Sequence, residues 1–199
     1  MVGQSRDVAM LKLFTESLGA FLASGLSDMG EKPVVSFALP GAVPGKNALS
    51  IFLTGMVENA ELRSNETKYE RSDTGWIATK PPLMLKCTYV VSAWSASNNP
   101  TEASLIQMRL LSAAYHVFTA IKTLPKAYIP EAMNVTGNPK PVIAISKDDL
   151  PNRPEFWTST GCMFHPSFSI VATIALPNVE EQYEHIVEGV QTDYKFTQT

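Results

Sequence analysis

"PPLMLKCTYVVSAW" (residues 81–94) is the stretch on which the fold turns. Leu83, Leu85, Cys87, Tyr89, Val91 and Ala93 recur at every second position, with Lys86, Thr88 and Ser92 between them. A period of two predicts a β-strand with one buried face and one partly polar face. The double proline ahead of it makes an abrupt, non-helical entry, which suits a strand emerging from a long loop.

Upstream, "LSIFLTGMVENAELRSN" (49–65) opens with the same alternation. Leu49, Ile51, Leu53 and Val57 share one face, and Ser50, Thr54 and Glu58 the other. After Glu58-Asn59 the pattern stops, and residues 59–80 form a polar stretch of mixed charge. Earlier still, "PVVSFALP" (33–40) reads as a strand bracketed by prolines, and 41–48 as a loop. Downstream, "VIAIS" (142–146) and "PSFSIVATIALP" (166–177) are strands, the latter with Phe168, Ile170, Ala172, Ile174 and Leu176 inward.

Two segments have helical spacing instead. Residues 7–25 place Leu11, Phe14, Leu18, Phe21 and Leu22 on one stripe, with Asp7 as N-cap and Gly25 near the end. Residues 101–123 place Leu110, Ala114, Val117 and Ile121 on another, widened by Leu111 and Phe118, with Thr101 as N-cap. A short helix is expected within 150–162, starting near Asn152 or Arg153. Consecutive short strands and two long helices predict an α+β (mixed α/β) fold: one largely antiparallel sheet flanked by helices.

The 199 residues fit one core, which at this length buries on the order of 70% of the unfolded surface without disulfides or metals. The formal net charge of −3 offers no basic face for nucleic acid, and a charged fraction of 18% is low, as in interface cores. Cys87 and Cys162 are read as free, inert thiols. No signal-peptide pattern and no run of roughly 18 apolar residues is present, so a soluble chain with no membrane partner is expected.

Catalytic patterns are missing. His116, His165 and His185 form no HExxH, and there is no G-x-S-x-G, GxxxxGK[ST] or GxGxxG. His116 is expected to face solvent, and His165, before Pro166, to be a loop residue. Asp148 and Asp149 are adjacent on a turn and point apart. Trp76, Trp94 and Trp157 lack the basic residues of a base-stacking surface. No cofactor, metal or catalytic residue is therefore expected. A small enzyme or ligand-binding domain would instead need a deep pocket built from loops 41–48, 125–141 and 161–165.

The order of these pieces resembles the tail-terminator, or cap, family of contractile injection systems, the phage-tail-like particles with an inner tube inside a contractile sheath. The resemblance covers about residues 8–177. It rests on Glu58-Asn59 with Leu62-Arg63, on Pro81-Pro82-Leu83 with Leu85 and Tyr89, on Trp157, and on Pro166-Ser167. It implies a non-enzymatic structural protein forming a homo-oligomeric ring of six copies. That ring would contact the inner tube protein and the sheath protein at the baseplate-distal end and stop polymerisation. Assembly would take place in the bacterial cytoplasm. A terminator of an ordinary contractile phage tail is the alternative within the same class.

On this reading residues 1–177 are the cap domain. Residues 178–199 are a short acidic tail with Glu180, Glu181, Glu184, Glu188 and Asp193 against one base, Lys195. The tail is shorter than in longer family members. It would be frayed in the free protein or add a strand to a sheath subunit. The candidate interface residues are Glu58, Asn59, Arg63, Trp76, Glu184 and Tyr194. Glu58, Asn59 and Arg63 have a second reading, as groups that only stabilise the strand end through local hydrogen bonds.

Overall fold

The structure is a computed structural model and describes residues 10–29, 32–39, 46–72, 75–134, 139–147, 151, 153–176 and 181–183. Asp7, Asp148, Asp149, Asn152, Glu184, His185, Tyr194 and most of the loop 41–48 lie outside these residues. The chain divides into two compact units: Met1–Arg63 with Pro82–Pro177, and Ser64–Pro81 with Asn178–Thr199.

The larger unit is built on a five-stranded sheet. Its strands are β1 (Val34–Ser36), β2 (Ala48–Glu58), β5 (Leu83–Trp94), β7 (Ser167–Leu176) and β6 (Val142–Ile145), in that spatial order. β2, β5, β7 and β6 pair antiparallel, and β1 adds to β2 in parallel. The expected strand from 33 to 40 is thus only three residues long. β5 is central, paired along nearly its whole length on both sides, as its unbroken alternation requires.

Helices α1 (Met10–Gly25) and α2 (Pro100–Thr119) cover one face. Phe14, Leu18 and Leu22 of α1 and Leu110, Ala114 and Phe118 of α2 are buried in one cluster with Leu49, Ile51, Cys87, Tyr89, Val91, Ile170, Ala172 and Ile174 of the sheet. Each large aliphatic or aromatic side chain so buried stabilises the fold by about 1.5–3 kcal/mol relative to exposure. Burial pushes the Cys87 thiol up to about 11. The same desolvation drives Tyr89 well above its usual range, against the hydrogen bond it shares with Thr15 (3.0 Å).

Three local expectations are corrected. α2 starts one residue early, and its N-cap is Asn99, not Thr101. The Asn99 side-chain oxygen accepts from the amides of Thr101 (3.0 Å) and Glu102 (3.2 Å), with Pro100 in the first turn where no amide is needed.

A β-bulge breaks the alternation in β2. Thr54 and Gly55 together face Thr88, and the Thr54 hydroxyl donates to the Thr88 carbonyl (3.1 Å). The extra residue reverses the facing of everything after it, so Val57 comes opposite Lys86 and is 60% exposed.

The face of β5 away from α1 and α2 is polar only at its start. Lys86 is exposed and Thr88 half-buried, but Val90, Ser92 and Trp94 are buried. Trp94 packs at a tilt against His165 (ring centroids 3.7 Å, planes 42° apart), beside helix α3 (Pro154–Ser159), whose Trp157 donates its indole N–H to the Pro151 carbonyl.

The smaller unit corrects the reading of residues 59–80 as a loop. Strands β3 (Lys68–Ser72) and β4 (Gly75–Thr79) form an antiparallel hairpin. β8 (Glu181–Tyr183) pairs antiparallel with the other edge of β4. Part of the acidic segment after residue 177 therefore has a strand partner within its own chain. The residues that pair, Tyr69, Trp76 and Ile77 among them, have the β-propensity a hairpin needs, diluted among charges that hide the alternation.

Candidate contact surface

The far end of β2 is a compact turn. The Asn59 amide donates to the Met84 carbonyl (2.8 Å), holding the chain against β5 one residue past the strand. Residues Ala60–Leu62 then make a single 3₁₀ turn, closed by the Leu62 amide on the Asn59 carbonyl (3.1 Å) and the Arg63 amide on the Ala60 carbonyl (3.3 Å). This turn brings Arg63 back to Glu58, with Nε 3.6 Å from Oε1. Both side chains remain substantially exposed, so the pair stabilises the fold by at most about 1 kcal/mol.

Glu58, Asn59 and Arg63 are thus brought together, and all three make the local bonds of the second reading. Their surroundings include something the sequence pattern did not flag. Met56, Val57, Leu62 and Leu83 are exposed at this end of the sheet and the turn that follows β2. The bulge turns Val57 to the face of Lys86 and Met56 to the face of Cys87, and its signal, a Thr-Gly pair inside an alternating run, was present in the sequence. The end of β2 therefore combines a charge pair with exposed apolar side chains on both faces, the composition of a contact surface more than of a reaction site.

Trp76 belongs to the smaller unit. It lies in β4 between Arg71 of β3 and Tyr183 of β8 and is half-buried. Glu184 and Tyr194 lie outside the described residues.

The chemistry of the remaining groups is quiet. His116 is exposed on α2. His165 sits in the loop before β7, with Trp94 and Trp157 as ring neighbours, and burial lowers its pKa and favours neutral imidazole. Trp94 and Trp157 are buried, which removes them from any stacking surface for bases. Among the described residues no group of three or more His, Cys, Asp or Glu side chains is placed to hold a metal ion. No helix among them is long and apolar enough to cross a membrane.

A family model, the Pvc16 N-terminal domain, matches residues 14–187. The chain belongs to this family. The match runs from α1 through β8 and so takes in both units. No curated protein matches the chain in sequence.

Two solved structures share the Pvc16 N-terminal domain fold seen here. One is the PVC sheath/tube terminator of an extracellular contractile injection system in its extended state, with TM-score 0.67 and 20% identity over 94% of this chain. The other is the anti-feeding prophage cap, a tube-terminating cap, with TM-score 0.64 and 17% identity over 90% of this chain. The match spans 64% and 60% of those two chains, so each has substantial further sequence outside the shared fold.

Proposed function

We propose that this protein is a structural terminator of a contractile injection system. A ring of copies, six by the resemblance, caps the inner tube and the last sheath layer at the end away from the baseplate. The observation that carries this reading is the family match over residues 14–187, supported by the likeness of the fold to two terminators. Residues 1–177 act as the cap domain and 178–199 as an acidic extension. Assembly takes place in the bacterial cytoplasm, as part of a phage-tail-like particle.

The mechanism is steric and needs no reaction. A cap occupies the surface that would receive the next tube subunit and offers no equivalent surface beyond it. A closed ring requires patches that differ and meet by rotation. The end of β2 is assigned to the contacts with tube or sheath, because it joins an ion pair to exposed apolar side chains on a rigid strand. Trp76, Glu184 and Tyr194 extend that assignment to the smaller unit and the segment after it.

Polymerisation of the tube protein followed by light scattering tests the reading. Substoichiometric addition of this protein should arrest growth and shorten the mean tube length in proportion to the amount added. Growth to unchanged length at equimolar addition would reject it.

A further inference from the structure

The face of the sheet turned away from α1 and α2 carries a row of serines. The strand registers pair Ser36 with Ser50, Ser50 with Ser92 and Ser92 with Ser167. Directly paired residues share a face, so the four hydroxyl groups form one line across β1, β2, β5 and β7. Trp94 of β5 and Ser169 of β7 lie on the same face, on opposite sides of Ser92 along the strand direction. This end of the face is closed off: Ser92 is fully buried, and Ser169 and Trp94 are 3% and 9% exposed.

The outer members of the row find partners in nearby backbone. Ser36 accepts from the Ala38 amide (3.2 Å), Ser50 donates to the Ala38 carbonyl (2.8 Å) and Ser167 donates to the His165 carbonyl (3.2 Å). The centre does not. Among the described residues, three buried side-chain polar atoms have no hydrogen-bond partner, and they are Ser92 Oγ, Trp94 Nε1 and Ser169 Oγ. All three fall on this one face, around Ser92. A buried hydroxyl or indole N–H left unpaired is costly, and native interiors satisfy nearly all such groups.

We propose that ordered internal water completes this row, with one molecule bridging Ser92 Oγ and Ser169 Oγ and a second linking the Trp94 indole to Ser92. Ser92 and Ser169 are a diagonal pair on adjacent strands, at about 7–8 Å between α-carbons, a separation that one water spans with two bonds of about 2.8 Å. The ligand class follows from the groups. A hydroxyl both donates and accepts, whereas the indole N–H only donates. None of the described sheet residues at this end of the face is charged, and burial favours the neutral imidazole of His165. A cation would meet the indole N–H, and an anion would be buried without a positive partner. Water suits both kinds of group, and a buried water makes about three such bonds. This hydration is internal to one chain and independent of the capping reading.

Oxygen-17 relaxation dispersion of the solvent tests this on the full chain. It counts waters held for longer than the protein tumbles and ignores proton exchange with hydroxyls. S92V puts methyl groups where the bridging water would sit, so it should lower the dispersion amplitude by at least one water per chain. An amplitude equal to that of wild type would overturn the proposal. S92A and S169A add no volume, and they keep the test decisive where S92V does not fold. With water in place, each takes away one of its partners, and the melting temperature should fall by about 2–4 °C. With bare hydroxyls, each removes an unpaired buried group instead. A melting temperature that rises or stays unchanged in both variants would therefore overturn the proposal as well.

Discussion

A β-carbon placed on Gly25, the last residue of α1, would sit 2.6 Å from Cγ2 and 2.9 Å from Cγ1 of Val117 on α2. The two helices touch backbone to side chain at this point, and the β-branched valine has one strongly preferred rotamer and little room to turn.

Gly25→Ala should therefore destabilise the protein by roughly 1–3 kcal/mol, the usual cost of overpacking, despite the gain in helix propensity. Thermal unfolding should show a fall of several degrees. Gly19→Ala is the comparison. Its β-carbon would meet the ring end of Phe37, a partly exposed side chain that can swing outward, so its melting temperature should fall less.

Stability should decline at high pH because of Cys87. Its thiol is raised from 9.0 to about 11 by burial, so the folded protein stays protonated where the unfolded chain ionises. The contribution is intact below pH 9, and over the window from 9 to 11 it is lost at up to about 1.4 kcal/mol per pH unit. Tyr89, raised in the same sense, adds its own loss starting near pH 10. Urea titrations across this range should show a shallower fall for Cys87→Ala than for wild type, at a lower overall stability.

Arg63→Glu separates contact from stability. The Glu58–Arg63 pair is exposed, so reversing one charge should change stability by about 1 kcal/mol or less. Tube arrest should weaken at least several-fold at an almost unchanged melting temperature. Arrest equal to wild type would leave this pair only its local role at the strand end.

Removing residues 178–199 should loosen the smaller unit selectively. β8 supplies the only partner of β4 other than β3 among the described residues. Hydrogen exchange should accelerate across Gly75–Thr79, while amides of β5 and β7 keep their protection. Uniform acceleration throughout the chain would contradict the division into two units.

What the sequence made legible follows burial. β5 and β7 read correctly because their inward faces meet helices along most of their length, and so did the stripe of α1. Val57 misled because one inserted residue, Thr54, reverses the facing of all that follows, and the Thr54-Gly55 pair that marks it leaves the apolar spacing of Leu53 and Val57 unbroken. The hairpin was hidden because Tyr69 and Trp76 alternate with charged and small residues in strands of only five, too short for a period to stand out. The burial of Trp94 was not legible because its ring neighbour His165, itself beside Trp157, comes from more than sixty residues later. Of the candidate contact residues, Glu58, Asn59 and Arg63 were found by their order in the chain.

The most direct measurement is negative-stain electron microscopy of tubes grown with this protein. Termination predicts extra density at one end of each tube, absent when the protein is left out, and a ring when it is viewed down the axis. Tubes with identical bare ends, or density scattered along their length, would contradict the central claim.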